Sequence, residues 1–105
     1  MNREKLIACI EACKGAAVKC FGRPGIEKCK RACLACADAC INLNAAYKNQ
    51  PNLSELLKKC FDMCNVCAIE CEKYSEIEQF KKCTEACRNC AEQFKVTKLA
   101  ASPLT

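Results

Sequence analysis

Histidine is absent from this sequence, which removes the usual general base and the commonest zinc ligand after cysteine. Ordinary acid–base catalysis loses its main candidate, so the chain is read as a non-enzyme. Tryptophan is also absent and aromatics make up only 6% of residues, while no run of Lys or Arg is longer than a pair. A nucleic-acid groove clusters basic residues and interleaves aromatics. The net charge of +5, from 17 basic and 12 acidic residues, therefore reads as a solvated surface, and no nucleic-acid partner is expected. No apolar run approaches the length of a membrane span. The opening MNREKLIA is charged and lacks an apolar stretch followed by small residues, so no secretory signal is expected and a reducing cytosol is. Glycine and proline number three each, few enough that long uninterrupted helices are permitted.

Those few breakers divide the chain into four similar segments. Gly22, Arg23, Pro24 and Gly25 mark a first turn, Asn49 to Asn52 with Pro51 a second, and Tyr74 with Ser75 a third. Ser75 followed by Glu78 matches a capping box, in which hydroxyl and carboxylate each satisfy a free amide of a new helix. Between the breakers the sequence is rich in Ala, Leu, Lys and Glu, which favours helix over strand. The spacing predicts helices at about 2–21, 26–48, 53–73 and 76–98 in one domain spanning 1–105, with 99–105 as a frayed tail.

Cysteine is what the sequence has in excess, at fourteen residues, far above ordinary usage. The second segment carries Cys29, Cys33, Cys36 and Cys40, and the third carries Cys60, Cys64, Cys67 and Cys71, the same CxxxCxxCxxxC string twice. The fourth has Cys83, Cys87 and Cys90, with Phe94 in the remaining slot. The first has Cys9, Cys13 and Cys20, with Ala16 in the gap. Steps of four, three and four residues at about 100° each keep all sulfurs of a segment within an arc of roughly 60°. Each helix thus carries one straight thiol stripe, and short connections make an up-down-up-down antiparallel four-helix bundle with a cysteine-lined core. Stacking the slots predicts four layers: Cys9, Cys40, Cys60 and Phe94; Cys13, Cys36, Cys64 and Cys90; Ala16, Cys33, Cys67 and Cys87; and Cys20, Cys29, Cys71 and Cys83.

Packing alone does not account for this choice. A core fills well with Leu, Ile, Val and Ala, so sulfur at nearly every slot implies a use for sulfur. Disulfides fit poorly, because a bond within one helix constrains almost nothing and their geometry is narrow. A zinc reading draws on the paired CxxC spacing of Cys64, Cys67, Cys87 and Cys90, yet zinc ribbons place such pairs at glycine-bearing turns, and here Asn65, Val66, Arg88 and Asn89 lie between them. A thiol redox enzyme needs one or two exposed thiols of depressed pKa, and no such pair stands out. Soft thiolates select Cu(I), which accepts two or three sulfurs without a tetrahedral cage. Seven ions on private thiolate pairs would leave a costly buried charge of about −7. Bridging thiolates and roughly one ion per cysteine, about 14, cancel it. All fourteen cysteines are therefore candidate metal ligands for multiple Cu(I) ions.

The run CFDMCNVCAIEC from Cys60, the following EKYSEIEQFKKCTEACRNCAEQF and the opening CIEAC at residues 9–13 resemble the bacterial copper storage proteins. That resemblance covers nearly the whole chain. It implies storage of many Cu(I) ions in each subunit, commonly within a homotetramer, and the lack of an export signal places the chain with the cytosolic branch. The chain departs from the family pattern in having no histidine for a pore and in Phe94, where a cysteine is usual.

Ile7, Ile10, Val18 and Phe21 project nearly opposite the thiol stripe of the first helix, giving it two apolar faces and predicting a homo-oligomer, with a tetramer favoured. Leu34 and Ile41 add a weaker outer stripe on the second. Leu6, Leu43, Tyr47, Leu53 and Leu56 are expected to plug one end of the bundle. Copper exchange is expected at the other, around Cys20, Cys29, Cys71 and Cys83, with Ile26, Tyr74 and Phe80 as covering side chains. Met63 flanks the third stripe and reads as packing more than as a thioether ligand.

Overall fold

A computed structural model describes residues 3–46 and 53–94. It is all-α: α1 runs Arg3–Cys20, α2 Glu27–Ala46, α3 Leu53–Glu72 and α4 Glu78–Phe94. Each helix packs against the next and α4 closes on α1, which makes an antiparallel four-helix bundle. The expected extensions to residues 2, 47–48 and 95–98, the Pro51 turn, Tyr47 and the tail lie outside the described residues.

Local chemistry explains the first reversal. Gly22 follows the end of α1 with φ of +78°, the left-handed conformation that glycine adopts without steric cost. The Arg23 amide donates to the Cys20 carbonyl at 3.2 Å, and the Arg23 Nε donates to the Lys19 carbonyl at 3.0 Å. Carbonyls left over at the helix end are thereby satisfied. Gly25 repeats the positive φ, at +79°, and the Ile26 carbonyl then accepts the Lys30 amide at 3.0 Å to open α2. A Cβ added at Gly22 would meet nothing within 4 Å, so backbone strain is its only cost. Gly22→Ala is expected to lower stability by about 1 kcal/mol, measured as a reduced urea midpoint at unchanged m-value.

The third reversal corrects the capping-box expectation. The Tyr74 amide donates to Cys71, and the Ile77 amide donates back to the Tyr74 carbonyl at 3.0 Å. This extra turn delays the helix. Ile77, not Ser75, offers the first helical acceptor, taking the Lys81 amide at 3.1 Å, and α4 begins at Glu78. Packing wins over capping here: Ile77 rests against the core and the Tyr74 ring lies 5.6 Å from that of Phe80.

That turn also corrects the axial register. α2 and α3 pair as expected, with Cys40–Cys60 at 3.2 Å, Cys36–Cys64 at 3.7 Å, Cys33–Cys67 at 3.7 Å and Cys29–Cys71 at 3.8 Å between sulfurs. α4 is displaced by about one slot, so Cys83 faces Cys67 at 3.7 Å instead of Cys71. Cys87 reaches Cys36 at 3.9 Å, and Cys90 gathers with Cys40, Cys60 and Cys64 in the place expected for Phe94. α1 shifts by about one slot in the opposite sense along the axis: Cys9 lies 3.8 Å from Cys64 and 3.7 Å from Cys87. The displaced slots are filled by other side chains. Phe80, three residues before Cys83, is fully buried, and so is Leu6, three before Cys9.

At one end Leu6 and Leu43 are 0% exposed and Phe94 is 1% exposed, with Leu53 and Leu56 packed against them in the core cluster. Ile10 departs from the outer face expected of it. It is buried beside Ala17, because its position on α1 falls on the shoulder of the stripe, where it meets a neighbouring helix. Ile7, Val18 and Phe21 are exposed, as are Leu34 and Ile41. No helix among the described residues is long and apolar enough to cross a membrane.

Candidate metal centre

The repeat places every thiol on the inside. All fourteen cysteines are free and buried, and thirteen are 0% exposed, with Cys20 at 3%. Among the described residues the interior column carries no charged side chain. Glu70 is buried at the periphery, where Lys73 at 3.2 Å and Lys28 at 3.8 Å neutralise it. Among the described residues no buried side-chain nitrogen or oxygen lacks a hydrogen-bond partner, and besides the thiols the buried polar side chains are Glu70 and Thr84, the latter bonded to the Phe80 carbonyl.

Sulfur contacts run continuously along the axis. Cys9 touches Cys13, Cys36, Cys40, Cys64 and Cys87, all between 3.7 and 4.0 Å. Cys13 continues to Cys67 at 3.9 Å, Cys83 at 3.8 Å and Cys87 at 3.6 Å. Cys67 and Cys33 then lead to Cys71, at 3.9 and 3.5 Å, and Cys71 to Cys29. Five groups of four thiols have all their sulfurs within 4.8 Å of one another: Cys9, Cys13, Cys36 and Cys87; Cys9, Cys36, Cys40 and Cys64; Cys13, Cys67, Cys83 and Cys87; Cys33, Cys67, Cys71 and Cys83; and Cys40, Cys60, Cys64 and Cys90. These groups overlap, so most sulfurs in them serve two neighbours at once. A metal–thiolate bond of about 2.3 Å spans two sulfurs up to roughly 4.6 Å apart, and the contacts of 3.2 to 4.0 Å fall inside that reach. The donor set fits soft metal ions.

Cys20 and Cys29 both stand outside the five groups; Cys29 meets the column at Cys71, 3.8 Å away, and a hydrogen bond with Cys29 bears on the Cys20 thiol. Met63 is half-buried and packs against the core. Gln93 donates to the Cys90 sulfur at 3.6 Å. Phe80 at the turn end is the side chain whose place in the interior stripe the cysteine spacing did not reveal. A signal was present, since residues 80, 83, 87, 90 and 94 continue the alternation of three and four.

Burial sets the protonation of the apo column. Desolvation pushes the Cys29 thiol up to about 11 against the weaker opposing hydrogen bond from Cys71, and burial raises Cys20 as well. Deeper in, hydrogen bonds with Cys36 first among them raise Cys13 and Cys64, whereas donation from Cys13 lowers Cys9 and Cys36. Protons are shared along the column. A thiol whose folded pKa exceeds its unfolded value stabilises the fold fully below the unfolded pKa and ceases to as pH rises through the folded one. For Cys29 that window runs from 9.0 to about 11. The urea midpoint of the reduced apo protein is therefore expected to fall between pH 9 and 11, and a midpoint rising across that window would contradict this assignment.

A sequence profile described as the copper storage protein family matches residues 1–98. The cysteine-rich protein YhjQ of Bacillus subtilis (strain 168) is 32% identical over 94 residues, covering 86% of each chain. No solved structure matches at a significant level. With a cysteine-lined bundle and a profile spanning nearly its whole length, the chain belongs to the copper storage protein family.

Proposed function

We propose that this protein stores Cu(I) at a level near one ion per thiol, through all fourteen cysteines acting as bridging thiolates inside the bundle. The observation that carries this reading is the overlap of the thiol groups. Only three of the five are mutually disjoint: Cys9, Cys13, Cys36 and Cys87; Cys33, Cys67, Cys71 and Cys83; and Cys40, Cys60, Cys64 and Cys90. A divalent ion that needs four private sulfurs, such as Zn(II) or Cd(II), could occupy those three. Their twelve thiolates against six positive charges would leave about −6 in an interior without countercharges, a state of high cost. Cu(I) shares sulfurs at low coordination number, and about fourteen ions on fourteen thiolates bring the column to neutrality. The fourteen free thiols are suited to a reducing compartment, the cytosol, where thiolates persist as ligands. Storage involves no turnover, so no residue is assigned a catalytic role. Self-association through the exposed Ile7, Val18 and Phe21 of α1, with a tetramer favoured, completes the proposal, as does the assignment of residues 1–105 to one domain.

Titration of the reduced apo protein with Cu(I) beside a strong competing chelator is expected to saturate near fourteen equivalents. Loading should release protons, because each protonated thiol that becomes a bridging thiolate gives one up. Saturation near three equivalents, with Zn(II) displacing Cu(I), would instead support the divalent buffer. Saturation at one or two with catalytic disulfide reduction would support a redox protein.

A further inference from the structure

Resting on the copper reading above, we propose that a pocket beside Cys20 is the loading site. It receives Cu(I) carried as an anionic complex of a small thiol, with Cys20 as first acceptor and Arg23 and Lys30 recognising the negative charge.

The turn end of the bundle is closed along its axis. Phe80 is 0% exposed, Ile26 is 4% exposed, and Cys29, Cys71 and Cys83 beneath them have no exposed surface. The far end is stopped by Leu6, Leu43 and Phe94. Cys20 alone among the thiols has any surface, and it opens sideways into a pocket of about 380 Å³ walled by Phe21, Arg23, Ile26, Glu27 and Lys30. That volume is in the range of small-molecule clefts and too small to seat a folded protein. Two cations to one carboxylate leave the wall positive. Both cations are held: Arg23 by its bond to the Lys19 carbonyl, which leaves its remaining N–H groups free to donate, and Lys30 by its position 4.2 Å from the centre of the Phe21 ring. Cu(I) in a thiol-rich medium travels bound to thiolates, and a complex of two thiolates bears a net negative charge.

Transfer is a ligand exchange in which copper stays Cu(I). The Cys20 sulfur forms a bond to copper, one copper–thiolate bond of the carrier breaks, and the Cys20 thiol proton leaves with the departing thiol. Cys29, which interacts with Cys20, displaces the second carrier thiol in the same way. Cys71 lies 3.8 Å beyond Cys29, and the column follows.

The test compares loading of the reduced full-length protein from Cu(I)–glutathione, which is anionic, and from Cu(I)–cysteamine, which is cationic, by metal retained after rapid desalting. At low ionic strength the Arg23→Gln/Lys30→Gln variant is expected to load about tenfold more slowly from glutathione, at wild-type rate or faster from cysteamine, and to the wild-type number of ions from both. Cys20→Ser should slow both donors. Final capacity certifies that each variant is folded. Equal slowing of the charge variant with both donors, no slowing with either, or wild-type rates for Cys20→Ser would overturn the loading site while leaving storage intact. A wild-type protein retaining only one or two ions from either donor would remove the storage reading and this proposal with it.

Discussion

The copper-loaded protein is expected to melt more than about 20 °C above the reduced apo form. Apart from Phe80, Phe94, Leu6 and Leu43, the fully buried side chains are small, mostly cysteine with some alanine, so the apo core gains little from large apolar groups. Ions change this by joining helices. The group of Cys9, Cys13, Cys36 and Cys87 draws on three helices, and Cys64 of the fourth lies 3.8 Å from Cys9. An ion bound by the native state alone stabilises it by about 2.7 kcal/mol when free ligand stands at 100 Kd. Three such sites contribute about 8 kcal/mol, and each kcal/mol moves the melting point of a domain this size by about 4–8 °C. Scanning calorimetry of apo and loaded protein under anaerobic conditions measures the difference. Coincident transitions would mean that copper binds the unfolded chain as well as the folded one, and the shared interior column would lose its significance.

Phe80→Ala should cost the apo protein about 3–5 kcal/mol, enough on the usual scale of domain stability to leave much of it unfolded at room temperature. Phe80 is the bulkiest side chain with no exposure at the turn end, and its ring packs at 5.6 Å against Tyr74. Truncation leaves a void that small neighbours such as Cys83 and Thr84 fill poorly. Thr84 is further tied by its hydroxyl, which donates to the Phe80 carbonyl at 2.9 Å. Phe80→Leu keeps most of the volume and should recover more than half of the loss. Urea denaturation of the two variants in reducing buffer gives the comparison. A loss below 1 kcal/mol for Phe80→Ala would mean that the ring is not seated in the core.

The stripe itself was legible because its period is a property of one helix. Cys29, Cys33, Cys36 and Cys40 fall on one side of any α-helix whatever surrounds them, and the same spacing elsewhere gave both the helices and the facing interior. The α2–α3 pairing followed as well, since both segments carry the same string in opposite directions. Relative height between helices depends on how a turn is folded. Ser75 and Glu78 fit a cap pattern, yet the hydrogen bonds through Tyr74 and Ile77 shift the reversal point, and with it Cys83, Cys87 and Cys90. Local spacing could not rank those alternatives, because the decision lies in the burial of Ile77 and Phe80 against other helices. Ile10 was misplaced for a related reason: it sits at the edge of the stripe, where neighbouring helices decide burial. The slight exposure of Cys20 depends on the path taken by Gly22 to Gly25, which composition does not specify.

The stopper formed by Leu6, Leu43 and Phe94 has a kinetic corollary. Among the described residues Cys20 is the one thiol with any surface, and a vessel filled and emptied there behaves as a stack in which the last ion admitted is the first to leave. Copper deposited early near Cys60 and Cys90 would be the slowest to exchange, so an isotope pulse given before a chase of unlabelled metal should persist longest in the deepest layer. One chain would then hold a readily drawn fraction and a long-lived reserve without needing two kinds of binding site.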